Sequence, residues 1–126
     1  MHNWGLNMKS DNVVVDKSKA FAIRIVKMYR YLQEEKHEFV LSKQVLRSGT
    51  SIGANVKEAI RGQSTADFIA KMNIALKEAS ETEYWLELLK ETDYITPEMC
   101  GSILPDCVEL IKLLTAIIKT TKRGGA

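Results

Sequence analysis

Helix breakers are almost missing from this chain. Its 126 residues include two prolines, Pro97 and Pro105. Apart from Gly5 and the tail pair Gly124 and Gly125, the glycines stand at Gly49, Gly53, Gly62 and Gly101. Long segments therefore run with nothing to stop a helix. In the first of them Phe21, Ile25, Met28 and Leu32 recur at i, i+4, i+7 and i+11, with Lys27, Arg30 and Glu34 on the other side. The spacing predicts a helix from about Ser18 to Glu35, capped by Asp16 or Ser18. A second is expected from about Val40 to Arg61, ending near Gly62. A third follows Ser64, a cap with Asp67 three positions on, and continues to about Glu91. The fourth starts behind Thr96 and Pro97 and runs into Lys119, Lys122 and Arg123, cations suited to a helix C-terminus. Pro105 would either kink this helix or move its start to near Leu104.

Helices of roughly 20 to 27 residues joined by about four residues must lie antiparallel to their sequence neighbours. The expected fold is all-α: an antiparallel up-down-up-down four-helix bundle about 30 Å long. Residues 1–126 form a single domain in this reading, with an N-terminal arm over 1–15 and a flexible tail over 122–126. Hydrophobic residues at 45% and charged residues at 27% suit a chain with a buried core rather than a disordered one. No apolar run reaches membrane-spanning length, and no basic start followed by an apolar run marks a secretory leader. Cys100 and Cys107 sit seven residues apart on one expected helix, about 10 Å along its axis and beyond disulfide reach. A reduced, cytoplasmic setting without membrane contact is expected.

The overall charge of +2 conceals an uneven distribution. Residues 1–40 carry +2, residues 41–64 +3, residues 65–96 −4 and residues 97–126 +1. On the second helix Lys43, Arg47, Lys57 and Arg61 fall within roughly an 80° arc, opposite Leu41, Val45, Ile52, Val56 and Ala59. This basic stripe has only Glu58 at its edge. It could neutralise nucleic acid phosphates, pair with the acidic third helix of a neighbouring copy, or face water.

Gly49 and Gly53 lie one turn apart on a flank of that helix. Each costs roughly 1 kcal/mol relative to alanine, so a close helix crossing is expected there. Ser51 and Asn55 on the other flank could bond across to another helix. The third helix has a main apolar face of Phe68, Met72, Ala75, Ala79, Leu86 and Leu89. A second set, Ile74, Tyr84, Trp85 and Leu88, projects from a different side. A helix buried on one face does not need it, so it is a candidate subunit interface, with packing against the Trp4 segment as the competing explanation. Glu78 and Glu81 border the patch, where they could meet Arg47 or Lys57 of a neighbour.

Catalytic and metal chemistry finds little footing. Glu78 and Glu81 at i, i+3 resemble half of a di-metal carboxylate site, but that chemistry wants Glu-x-x-His pairs on facing helices, and His2 and His37 fall in expected loops. No phosphate loop, nucleophile elbow or zinc-protease helix occurs. Cys107 is expected to pack with Leu104, Leu110, Ile111 and Leu114. No enzyme activity, cofactor or metal is expected.

The segment Leu46 to Ala59, LRSGTSIGANVKEA, and the stretch Asp67 to Leu89, DFIAKMNIALKEASETEYWLELL, resemble the bacterial four-helix-bundle proteins encoded by intervening sequences of 23S ribosomal RNA genes. FAIRIVKMYRYL in the first helix and LTAIIKT in the last extend the likeness over roughly Lys17 to Thr121. The resemblance implies the same bundle. Related members, including the accessory variability proteins of diversity-generating retroelements, form ring-like homopentamers whose basic surfaces associate with nucleic acid and a reverse transcriptase. By position it singles out Arg47, Ser48, Ser51, Gly53, Asn55, Glu58, Lys77, Glu78, Glu81, Tyr84 and Trp85 as structural and interfacial. The expectation is a non-enzymatic homo-oligomer, a pentamer, acting as a scaffold. Lys43, Arg47, Lys57 and Arg61 would take RNA, DNA or a nucleic-acid enzyme. In the alternative, those cations are used up in subunit pairing and the module binds protein only.

Overall fold

The computed structural model describes residues 8–124, which fold as four helices: α1 (Met8–Glu34), α2 (Leu41–Ile60), α3 (Thr65–Glu91) and α4 (Pro97–Gly124). Connections of four to six residues force each helix to reverse on the last. Contacts run α1 to α2, α2 to α3, α3 to α4 and back from α4 to α1, with none across the diagonals, which is an up-down-up-down square. The long helices carry 27 and 28 residues, so the bundle is about 40 Å long rather than 30.

Each helix turns one stripe inward. Phe21, Ile25 and Leu32 of α1, Val45, Ile52 and Val56 of α2, Phe68, Met72 and Leu86 of α3, and Ile103, Leu110 and Leu114 of α4 are buried in one continuous core. Ends are set by local chemistry. Ser64 Oγ accepts from Asp67 N at 3.1 Å and Thr96 Oγ1 accepts from Met99 N at 3.1 Å, so each hydroxyl satisfies an amide that has no partner in the first turn. α3 ends where Asp93 takes a left-handed conformation, φ 67°, and the amides of Asp93 and Tyr94 turn back to the carbonyls of Lys90 and Leu89.

Two expectations about the elements are corrected. α1 starts at Met8, about ten residues before Ser18, so residues 8–15 of the expected arm are helical. Val14 is fully buried, one turn before Ser18 on the core stripe, and Ser18 Oγ donates to Val15 O at 3.2 Å inside the helix instead of capping it. The run Val13 to Val15 disguised the periodicity, because three adjacent β-branched residues disfavour a helix unless packing overrides propensity. Pro105 does not move the start of α4 to near Leu104: the helix begins at Pro97 and continues through Pro105. The carbonyl it leaves without an amide belongs to Gly101, and both residues are exposed, so water can serve that oxygen. Trp4 and His2 lie outside the described residues.

Candidate interaction surface

The α2–α3 seam gathers most of the expected site residues. α2 crosses α1 with Gly49 set against Ile25: a β-carbon built there would come within 2.7 Å of Ile25 Cγ1. Gly53 faces the backbone of Ser18, where an added β-carbon would stand 3.4 Å from the carbonyl oxygen. The close approach turns Ser48 toward α3. Its hydroxyl lies 2.8 Å from Thr82 Oγ1, with both residues fully buried. Thr82 donates its proton to Glu78 O at 2.8 Å. Ser48 is then the donor to Thr82, and neither oxygen is left unpaired in the core. Ser51 and Asn55 do not reach another helix, contrary to expectation. Ser51 Oγ donates to Arg47 O at 2.6 Å and Asn55 Nδ2 donates to Ser51 O at 2.9 Å, both within α2. Short side chains one turn apart find the preceding carbonyls before they can span to a neighbour.

Above the Ser48–Thr82 bond sits a charged cluster. Arg47 Nη1 donates to Glu78 Oε1 and Oε2 at 3.1 and 3.2 Å, and Nη2 donates to Glu81 Oε2. The same Glu81 oxygen accepts from Trp85 Nε1 at 3.0 Å. The indole hydrogen bond, opposed by partial burial and reinforced by the guanidinium, holds the Glu81 carboxyl below its ordinary range. Arg47 is raised in turn, chiefly by its bond to Glu81. Glu78 and Glu81 thus pair with Arg47 of their own chain, and Arg47 is drawn out of the basic stripe. Pairing within the chain follows from register: α2 and α3 are antiparallel neighbours, so Arg47 lies level with the turn from Glu78 to Glu81.

Beside this cluster the outer face of α3 keeps apolar surface in water. Ile74 is 40% and Tyr84 57% exposed, while Trp85 and Leu88 are half-buried, Trp85 against the core. Tyr84 and Trp85 meet edge to face at 5.2 Å. On α2, Lys43, Lys57 and Arg61 are exposed, and among the described residues none has a carboxylate within ion-pair distance. Glu58, the acid at their edge, pairs instead with Lys71 of α3 at 3.1 Å.

Two structural contacts escaped the sequence. Glu38, in the loop before α2, turns inward and accepts from the amides of Val40, Leu41 and Ser42 at 3.3, 3.0 and 2.7 Å. Arg24 of α1 reaches Asp106 at 2.8 Å and both the carbonyl and hydroxyl of Ser102 at 3.0 and 2.7 Å, clamping α4. Glu38 precedes Ser42 by four residues at a helix start, a spacing that could have flagged the first. Arg24 had no local signal.

Among the described residues no three His, Cys, Asp or Glu side chains gather as a metal site, and no helix is long and apolar enough to cross a membrane. Both cysteines are buried and unbridged. Burial, with Glu83 and Glu87 adding to it, pushes the Cys107 thiol up to about 12, and burial raises Cys100 as well. A thiolate-specific colour reagent is therefore expected to label neither thiol in native protein over minutes at pH 8 and both in guanidinium; rapid native labelling of one would contradict the packing.

Fold and site together define a small all-α bundle whose distinguishing features are a charged cluster on one seam and unpaired outward cations. The 23S rRNA-intervening sequence protein model matches residues 10–116, and the chain belongs to that family. It is similar to the crystal structure of a protein of unknown function from the S23 ribosomal protein family of Bacteroides thetaiotaomicron VPI-5482. The two share 64% identity over 87% of this chain and 98% of that one, with a TM-score of 0.86. No curated protein matches.

Proposed function

We propose that this chain is a non-enzymatic, homo-oligomeric scaffold of the cytoplasm, a pentamer, that binds RNA or DNA, or an enzyme working on them, through the basic face of α2. The observation that carries it is the state of Lys43, Lys57 and Arg61: exposed, on one face, and without a carboxylate partner among the described residues. Assembly is supported by Ile74 and Tyr84 left in water beside half-buried Trp85 and Leu88. Aromatic surface of this kind gains most from a partner. Five copies is the number the family resemblance implies, and a ring multiplies a modest subunit charge into a concentrated field.

Light scattering is expected to return a mass near five subunits, and labelled RNA and DNA are expected to be retained at 50 mM salt and released steeply by 200 mM. Replacing Lys43, Lys57 and Arg61 by Gln should abolish retention while leaving the mass unchanged. A monomer at working concentration would overturn assembly. Equal retention by the triple variant would overturn the binding face. A second reading, a protein-only module, draws on the Arg47 cluster, where the central cation of the stripe is already neutralised; it predicts no retention by the unaltered protein.

A further inference from the structure

Among the described residues no ion pair crosses the α1–α2 seam. Lys17 and Arg24 of α1 pair with Glu109 and Asp106 of α4, and the charged pairs of α2 go to α3. What remains on the outer side of this seam is basic. Lys19, Ala22, Thr50, Gly53, Ala54 and Lys57 line a groove of about 240 Å³, placing one lysine of each helix on opposite rims. A second hollow of about 330 Å³, lined by α1 alone, runs along the outward side of that helix from Lys19 past Ile23 and Val26 to Arg30, with Lys27 on the side toward α4, where it also lines a hollow with Glu98. Lys19 and Arg30 are roughly 16 Å apart along the helix axis. Because α1 and α2 run antiparallel, Arg30 lies toward the same end of the pair as Lys43. Asp16 and Glu34 border this face on its far edge, at about 60° from Lys19 around α1.

We infer that an unpaired strand of nucleic acid lies along the α1–α2 groove, its phosphates shared between Lys19 and Arg30 of α1 and Lys43 and Lys57 of α2. This rests on the nucleic-acid reading above and extends it to a helix that reading does not use. Charge chooses a polyanion. The floor between the cations chooses the strandedness: Ala22, Val26 and Ala54 with Ile23, half exposed, offer apolar surface to sugars and unstacked bases. A duplex keeps its base faces inside and would leave that floor unused. At the loop end of the pair Phe39 is 50% exposed, its ring 6.4 Å from that of His37, an aromatic surface on which a base can stack.

The test compares Lys19→Gln/Arg30→Gln with the α2 triple variant, using fluorescence anisotropy of a labelled 15-nucleotide oligouridine and of a labelled duplex of matched length. All five side chains are outward-facing cations, and unchanged helicity by circular dichroism confirms folding. The α1 double variant should weaken oligouridine binding about tenfold or more and flatten the salt dependence by roughly 1.4 units of log–log slope, with the duplex bound more weakly than the single strand throughout. If the α1 variant binds like the unaltered protein while the α2 variant fails, this inference falls and the α2 face stands. Stronger binding of duplex also overturns it. A changed oligomer mass in the α1 variant, with binding intact, would make the groove a subunit interface instead. If the unaltered protein binds neither probe at 50 mM salt, both readings fall.

Discussion

Gly49→Leu is expected to destabilise the bundle by about 3 kcal/mol, the largest effect of any single change at the α1–α2 crossing. Three atoms of Ile25 lie 2.7 to 3.1 Å from where a β-carbon would be, two of them branch atoms next to the Ile25 backbone. Ile25 is fully buried and its χ1 is stiff, so it cannot swing aside. The helices must separate instead, which opens the core around Ile25. Even Gly49→Ala should be a net loss, despite the roughly 1 kcal/mol that alanine gains in helix propensity. Gly53→Ala should behave oppositely. Its added methyl meets Ser18 at ordinary contact distance, so propensity wins and stability rises by up to about 1 kcal/mol. Urea unfolding followed by circular dichroism reads both. A Gly49→Ala/Ile25→Ala cycle should show a favourable coupling of about 1 kcal/mol. Additive losses would mean that Ile25 is not what the glycine accommodates.

The second large effect is expected at Glu38. Its carboxylate serves three amides of the first turn of α2, while Ser42 Oγ donates to Glu38 O at 2.7 Å, so the pair caps the helix reciprocally. Burial works to raise the Glu38 carboxyl, but the backbone amides outweigh it and hold the group below its ordinary range. Glu38→Ala should cost about 2 kcal/mol at pH 7, because it leaves three first-turn amides, that of buried Ser42 among them, without an acceptor. The pH dependence has a definite sign. A carboxyl with a depressed folded value binds its proton more readily in the unfolded chain, so its contribution is full above the unfolded value near 4.5 and fades as the pH drops through the folded one. The stability gap between the natural protein and Glu38→Ala should therefore be constant from pH 7 to 6 and shrink on acidification below about 4.5. A gap unchanged down to pH 3 would show that the side chain acts by packing and not as a charged cap.

Both effects bear on the proposed surfaces, since α2 carries the basic face and its placement depends on each end of this chain of contacts. Glu38 sets where α2 begins, and Gly49 sets how near it lies to α1. Together they hold Lys43 and Lys57 level with Arg30 and Lys19.

Periodicity alone carried the architecture a long way. The stripes of Phe21 to Leu32 and Phe68 to Leu89, and the caps Ser64 and Thr96, were legible because helix spacing and first-turn amides are local properties, determined within four residues. The start of α1 was not legible, since three consecutive valines oppose a helix locally and only burial of Val14 in the assembled core reverses that balance. The two glycines announced a close crossing without saying which tolerates a methyl; that depends on whether Ile25 or the Ser18 backbone stands opposite. Charge position was visible in the same way and charge pairing was not. Arg47 and Lys57 look alike along the sequence, yet one is bound by Glu78 and Glu81 and the other faces Lys19 across an open groove. Partners 31 and 34 residues away are chosen by the register of packed helices, a long-range quantity that tertiary structure alone supplies.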